Sequence, residues 1–371
     1  MTDHPIYVVK PSLPPLEEFT AHLETIWEKG ILTNGGPLHQ QLEKELCDYL
    51  GVSHVSLFNN GTSALLAAVG VLDLTGEVIT TPFSFVATAH AIVWNNLKPV
   101  FVDIDPRTMN IDPALVEAAI TPQTSAILAV HCYGQPCDIS ALQTIADKHN
   151  LKLIYDAAHA FGMDVDGKSS LAAGDVSAIS FHATKVFNTF EGGAVICHDE
   201  RSKKQIDQYK NFGISSETSV DAFGFNGKMS EVNAGFGLVQ LKYVDEAIQK
   251  RGEVDRKYRE GLSEIEGLKC LEFTNTSKNN YSYFPIFVED NYPLNRDELY
   301  EKLKEYNIFA RRYFYPLITD FAPYKQYCVS SKDEFPNAYA CAEKVMCLPI
   351  YPDLENGDIN RIISALKENA S

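Results

Sequence analysis

The chain has 371 residues, 45% hydrophobic and 22% charged, and 49 acidic against 32 basic side chains give it a formal net charge of −17. This is the composition of a folded chain of two or three domains, not of a disordered one. The negative field repels nucleic-acid backbones and anionic membrane surfaces alike, so an anionic ligand would have to be held by local donors.

The N-terminus, MTDHPIYVVKPSLPPLEEF, lacks the basic start and apolar stretch of a signal peptide and is read as an extended segment. No run reaches the ~18 apolar residues that a membrane span needs. Eight cysteines without a tight spacing read as reduced thiols of a cytoplasmic protein, which leaves the sequons at Asn60, Asn275 and Asn280 without meaning. From about residue 54 to 199, β-rich runs alternate with helical stretches: HVSLFNN, EVITTP, KPVFVDID, TSAILAVHCYG, LKLIYDAA, VSAISFHAT and GGAVICHD. Several are apolar at consecutive positions, as in strands covered on both faces, which predicts an α/β fold with a mostly parallel seven-stranded sheet between helices. The last two runs lie too close for a crossover helix, so one of them should be antiparallel.

Among the helical stretches, ISALQTIADKHN follows Asp138, a candidate N-cap. The run from SEVNAG to LSEI starts at Ser230 and is long enough to bridge two domains, with a break expected near Gly252. Beyond it, strand-like YSYFPIFV and IFARRYFYPL and helical RDELYEKLKEYN and NAYACAEKVM predict a smaller C-terminal α/β domain. The expected division is 1–245 for the large domain and 246–371 for the small one.

Ligands of open α/β sheets bind beyond the carboxyl ends of the strands, so the polar residues closing these runs are the candidates. NNGTSA opens a helix at Gly61, Thr62 and Ser63, where free N–H groups and two hydroxyls suit an anion, or simply make a cap. There is no GxxxxGK[ST] loop and no complete GxGxxG after a strand. Asp156 closes LKLIYD, where an unpaired carboxylate is costly, so a cationic partner is expected; capping the next turn or pairing with an unrelated arginine is the plainer alternative. Lys185, in SFHATKVFNTFEGGAV, has no charged neighbour between Asp175 and Glu191. An ammonium drawn into an apolar site has a lowered pKa and becomes a nucleophilic amine. Such a lysine, an aspartate for a pyridinium nitrogen and a phosphate cup together meet the needs of pyridoxal phosphate.

Three other clusters read differently. His131, Cys132 and Cys137 in HCYGQPCD lack a fourth ligand, so no metal is expected. A hydrolase triad of Ser180, His159 and Asp156 lacks the GxSxG elbow. RSKKQIDQYK reads as a solvated helix face. In ARRYFYP, Arg311, Arg312 and Tyr313 flank a strand-like run, and Arg312 and Tyr313 are the candidates for a substrate carboxylate or diphosphate.

NGTSALLAA, TPFSFVATAHAI, PVFVDIDPRTMNID, YDAAHAFG, SFHATKVFNTFEGGA and GFNGKMSEVNAG, in this order, resemble the sugar aminotransferase family of the DegT/DnrJ/EryC/StrS type, fold type I pyridoxal-phosphate enzymes with the aspartate-aminotransferase-like fold. The resemblance covers most of residues 30 to 245. It implies that Lys185 is the Schiff-base lysine, that Asp156 keeps the pyridine nitrogen protonated, and that His159 stands beside the phenolic oxygen. It further implies that Phe85 stacks on the ring, that Thr62, Ser63 and Ser180 join Gly61 at the phosphate, and that Asn226 reaches the phosphate from a neighbouring subunit, making a homodimer with shared active sites.

The implied substrates are L-glutamate and a nucleotide-linked keto sugar, with Glu191 on the substrate side and His182 either there or behind the residues that touch the cofactor. HATKVFN and FEGGA resemble enzymes that aminate C4 of dTDP-4-keto-6-deoxy-D-glucose in O-antigen or antibiotic sugar synthesis. A 3-keto or a UDP- or GDP-linked sugar, or a non-catalytic regulator of the same fold, are the alternatives. Lys185 separates the chain from the related dehydratases, which carry histidine there.

Overall fold

A computed structural model describes residues 4–370 apart from 275 and 277, so the sequon at Asn275 lies outside the described residues. The N-terminal segment opens with β1 (Ile6–Tyr7), then α1 (Leu16–Lys29) and α2 (Pro37–Leu50). Residues 4–15 contain no helix, and the two helices follow them. In α2, Leu38, Leu42, Leu46 and Leu50 recur every four residues and are all buried, a one-sided helical stripe.

The sheet strands are β2 (His54–Phe58), β3 (Glu77–Thr80), β4 (Lys98–Phe101), β5 (Thr124–Val130) and β6 (Lys152–Asp156). After a small hairpin of β7 (Asp164–Val165) and β8 (Lys168–Ser169) come β9 (Val176–Ser180) and β10 (Gly193–Cys197). Between and after them run α3 (Gly61–Gly70), α4 (Ala87–Trp94), α5 (Pro113–Ala118), α6 (Ile139–His149) and α7 (Glu200–Tyr209). The sheet order is β2-β10-β9-β6-β5-β3-β4, with β10 antiparallel to both neighbours and the other pairs parallel. All seven expected runs are in it, and the antiparallel member is the expected one.

The side-chain alternation of β5 shows why its run is apolar throughout. Ala126 and Leu128 face a core shared with α3 and α4, while Ile127 and Ala129 face the core of α5 and α6. Full burial of each such Leu or Ile contributes about 1.5–3 kcal/mol. Asp138 caps α6, accepting from the Ala141 amide at 2.9 Å.

α7 is solvated on one side only, with Arg201, Lys204 and Gln205 exposed. Lys203 pairs with Glu43 and Asp207, and Lys210, nearly inaccessible, pairs with the same two carboxylates and with the Ser56 hydroxyl. Positions 203, 207 and 210 share one side of the helix, and Glu43 of α2 supplies the counter-charge there.

A hairpin of β11 (Ile214–Ser216) and β12 (Ser219–Val220) leads to α8 (Glu231–Leu262), capped by Ser230. α8 is 32 residues long and unbroken, which corrects the expected interruption; Gly252 stays helical, packed where a Cβ would stand 2.9 Å from the Tyr281 ring. Its first half joins the core with α2 and its second half the small-lobe core, so residue 245 falls inside a helix common to both. Glu231, buried at its start, accepts from the Leu38 and His39 amides at 2.9 Å each and so caps α2 from the side.

The small lobe contains β13 (Leu268–Cys270), β14 (Phe284–Val288), α9 (Arg296–Glu305), β15 (Ile308–Phe309), α10 (Ser331–Glu334), α11 (Pro336–Lys344), β16 (Val345–Leu348) and α12 (Asn356–Glu368). β14 lies between β13 and β16, and β15 pairs with β1, so the N-terminus is part of this lobe. Of IFARRYFYPL only residues 308 and 309 form a strand, paired with β1; Arg311 then makes one bridge to Cys347 of β16, in the three-stranded sheet. No helix among the described residues is long and apolar enough to cross a membrane.

Candidate active site

A cavity of about 390 Å³ opens beyond the carboxyl ends of β2, β6 and β9 and is walled on its far side by the small lobe. Asn60, Gly61, Thr62, Phe85, Asp156, His159, Ser180, His182, Lys185, Glu191 and Tyr313 all line it. The strand ends do converge, because parallel strands finish on one edge.

Asp156, the last residue of β6, is buried. Its Oδ2 accepts from the Thr88 hydroxyl at 2.7 Å and its Oδ1 from the Ala158 amide at 3.2 Å. Burial pushes its pKa up, against those two bonds and the charge of Lys185. The expected cationic partner is not at ion-pair distance among the described residues, since Thr88 and Ala158 satisfy the oxygens instead.

Lys185 follows a turn closed by its own amide on the His182 carbonyl, 2.8 Å. Its Nζ donates to the Tyr283 hydroxyl at 3.2 Å. Desolvation lowers its pKa to about 8, although Asp156 and Tyr313 pull the other way. A minor neutral fraction, far larger than that of an ordinary lysine, is therefore present near neutral pH.

His159 accepts the Tyr133 amide on Nδ1 at 3.2 Å, which puts the proton of its neutral ring on Nε2. Burial first, and then the charge of Lys185, hold its pKa well below the usual value. Phe314 stacks parallel to its ring at 6.0 Å and Tyr283 meets it edge-on at 4.7 Å.

At the start of α3 the Asn60 side chain takes the Ser63 amide at 2.8 Å. The amides of Gly61 and Thr62, which have no carbonyl one turn back, are left for a ligand. Ser180 stands across from them, so close that a Cβ on Gly61 would lie 2.7 Å from its own Cβ; only glycine fits. Ser63, with its amide already capped, is outside the cavity lining.

Phe85 is 59% exposed on the wall. At the mouth, His182 Nε2 lies 3.6 Å from Glu191 Oε1, and Asn233 and Thr189 hold the Glu191 carbonyl at 3.1 and 2.9 Å.

Two candidates lie elsewhere. Arg312 points away from the cavity, donating to Asp297 at 2.8 Å and packing over Tyr300 and Tyr315. The backbone bridge from Arg311 to Cys347 sets the alternation, so Arg311 lines the cavity and its guanidinium has no side-chain partner among the described residues. Asn226 is exposed, bridged to Asn211, and outside the cavity.

His131 accepts from the Cys137 amide and stacks on Tyr155 at 4.5 Å, and no group of three possible metal ligands occurs among the described residues. Thr88, Tyr283 and Phe314 went unread in the sequence. Thr88 stands in TPFSFVATAHAI, Tyr283 in YSYFPIFV and Phe314 in IFARRYFYPL, but none of the three is marked by a local motif.

The cavity fits pyridoxal phosphate on its own features. It joins a buried carboxylate lacking a cation, an uncrowded pair of helix-start amides facing a serine, a neutral histidine with a free N–H, and an amine of lowered basicity.

Comparison with known proteins agrees. The family described as the DegT/DnrJ/EryC1/StrS aminotransferase family matches residues 16–367. A dTDP-4-amino-4,6-dideoxy-D-glucose transaminase from Shigella dysenteriae is 55% identical over 366 residues, covering 99% of both chains. The crystal structure of DesI in the presence of its TDP-sugar product superposes with a TM-score of 0.94 at 36% identity, over 99% of this chain and 93% of that one. NtdA from Bacillus subtilis with bound cofactor PMP gives 0.87 at 29% identity, over 96% and 82%.

Proposed function

The chain belongs to the DegT/DnrJ/EryC1/StrS aminotransferase family, and from that premise we propose that it moves an amino group from L-glutamate to C4 of dTDP-4-keto-6-deoxy-D-glucose, giving dTDP-4-amino-4,6-dideoxy-D-glucose. It is a pyridoxal-phosphate-dependent nucleotide-sugar aminotransferase. The observation that carries this reading is the meeting of Lys185, Asp156 and the start of α3 in one cavity.

Bound pyridoxal phosphate supplies an electrophilic carbon for amines and a ring that takes up the electron pair released at the donor's α-carbon. Asp156 would hold the proton on the ring nitrogen, and His159 would donate from Nε2 to the phenolic oxygen. The Gly61 and Thr62 amides, with the Thr62 and Ser180 hydroxyls, would hold the phosphate, and Phe85 would cover the ring. Lys185 Nζ, in its deprotonated form, takes the proton from the donor's α-carbon and returns one to the sugar carbon in the second half-reaction. Arg311 at the mouth suits the donor carboxylate or the sugar diphosphate.

A homodimer belongs to the same reading. Support comes from the segment around the β11/β12 hairpin, where Phe223 is 99% and Val220 67% exposed and which leads to Asn226. A cytoplasmic setting rests on the eight cysteines, all free thiols.

The test is incubation with cofactor, L-glutamate and a panel of nucleotide-linked 3-keto and 4-keto sugars, with aminated products identified by mass. Turnover confined to a 3-keto sugar, or to UDP- or GDP-linked sugars, would replace the substrate named here.

A further inference from the structure

We propose that Tyr283 is a positioning residue for the reaction, its phenol fixing the place of the Lys185 amine whenever that amine is free; the role rests on the aminotransferase reading above. Nζ lies 3.2 Å from Tyr283 Oη and 5.6 Å from the ring centre. Among the described residues Oη has no other hydrogen-bond partner. The side chain is buried, and the ring meets His159, Tyr133 and Tyr313 edge-on.

Two clamps hold Tyr283 still. Asn280, wholly buried, donates from Nδ2 to the carbonyls of His159 and Phe161 at 2.8 and 2.9 Å and accepts the Ser282 amide on Oδ1 at 3.0 Å. Arg251, buried in α8, donates from Nη1 to the Tyr281 and Ile350 carbonyls at 3.3 and 3.1 Å. Residues 280–283 are thereby tied to the loop after β6 and to α8 at once. A hydroxyl set this firmly does not follow a lysine on its flexible four-carbon stem; the amine comes to it.

The contact exists in both protonation states and is the stronger when Nζ is charged, so losing it lowers the amine's pKa. A charged Nζ donates to Oη, and a neutral Nζ accepts the phenol's proton in a hydrogen bond without taking it. Burial raises the phenol's pKa, so it stays protonated and leaves the base role to Lys185. The other titratable or charged groups around the amine are Asp156, His159 and Tyr313, with Arg311, His182 and Glu191 at the mouth.

The experiment uses the whole chain without cofactor. Competitive acylation with acetic anhydride at a series of pH values, read by peptide mass, gives the titration midpoint of Lys185. Tyr283→Phe keeps the ring and removes Oη, while Tyr283→Leu removes both. Each should lower the midpoint by about one pH unit, the value of a lost charge-assisted hydrogen bond.

In the loaded enzyme Tyr283→Phe should lower kcat about tenfold and leave KM for L-glutamate unchanged. A midpoint in Tyr283→Phe equal to that of the unaltered chain, a shift seen only in Tyr283→Leu, or an unchanged kcat overturns the proposal. The labelling arm contains no cofactor, so failure of the unaltered chain to aminate any nucleotide sugar counts against the function and not against this contact.

Discussion

Thr88 donates its hydroxyl to Asp156 Oδ2 at 2.7 Å, so the carboxylate at the end of β6 is oriented by the first turn of α4. Its direction is set before any ligand arrives.

Thr88→Val keeps the shape and removes that donor, which lets burial raise the Asp156 pKa further. The cofactor's dissociation constant should increase by about tenfold or more, the value of one hydrogen bond to a charged group. Absorbance titration measures it, with Thr88→Ser expected to stay near the original value.

Lys185→Ala removes the group that carries the proton, and turnover should fall by roughly 10²–10⁴-fold. Added methylamine should restore part of it. In the unaltered enzyme the rate should rise as pH passes about 8, where Lys185 loses its proton.

Arg311 and Arg312 are neighbours in sequence and face opposite ways. Arg311→Ala should raise KM for one of the two substrates by about 10–100-fold, as expected for a lost charge-assisted contact. Arg312→Ala should leave both KM values unchanged and lower stability by less than about 1 kcal/mol, since its pair with Asp297 is partly exposed. Steady-state kinetics and thermal melts separate the two.

His39, mostly buried, has its pKa lowered to about 4, with desolvation the foremost cause. The unfolded chain binds a proton near pH 6.5 that the folded chain refuses until about 4. The resulting contribution, of order 3 kcal/mol, is present above 6.5 and is lost as pH falls from 6.5 to 4. Urea unfolding across that window should show a slope that His39→Leu makes shallower by one proton. His131, lowered to about 4 in the same way, contributes a similar slope.

The sheet was legible because its strands, covered on both faces, are apolar at nearly every position, and the large-lobe half of the site was legible because polar residues end those strands. α1 and α2 went unread although the leucines of α2 mark its face. Of the small-lobe wall of the cavity, only ARRYFYP, with Arg311 and Tyr313, was legible. Tyr283 and Phe314 reach it through long-range packing, and whether Arg311 or Arg312 faces inward depends on a single backbone bridge to Cys347. In RSKKQIDQYK, Lys203 and Lys210 looked solvated because one of their two partners, Glu43, lies far away in sequence.

α8 passes without interruption from one core into the other, a rod of about 48 Å at 1.5 Å per residue. Neither lobe can melt without fraying the shaft that the other is built on. Calorimetry should therefore record one heat-absorption peak for the whole chain, where two globules joined by a slack tether would give two.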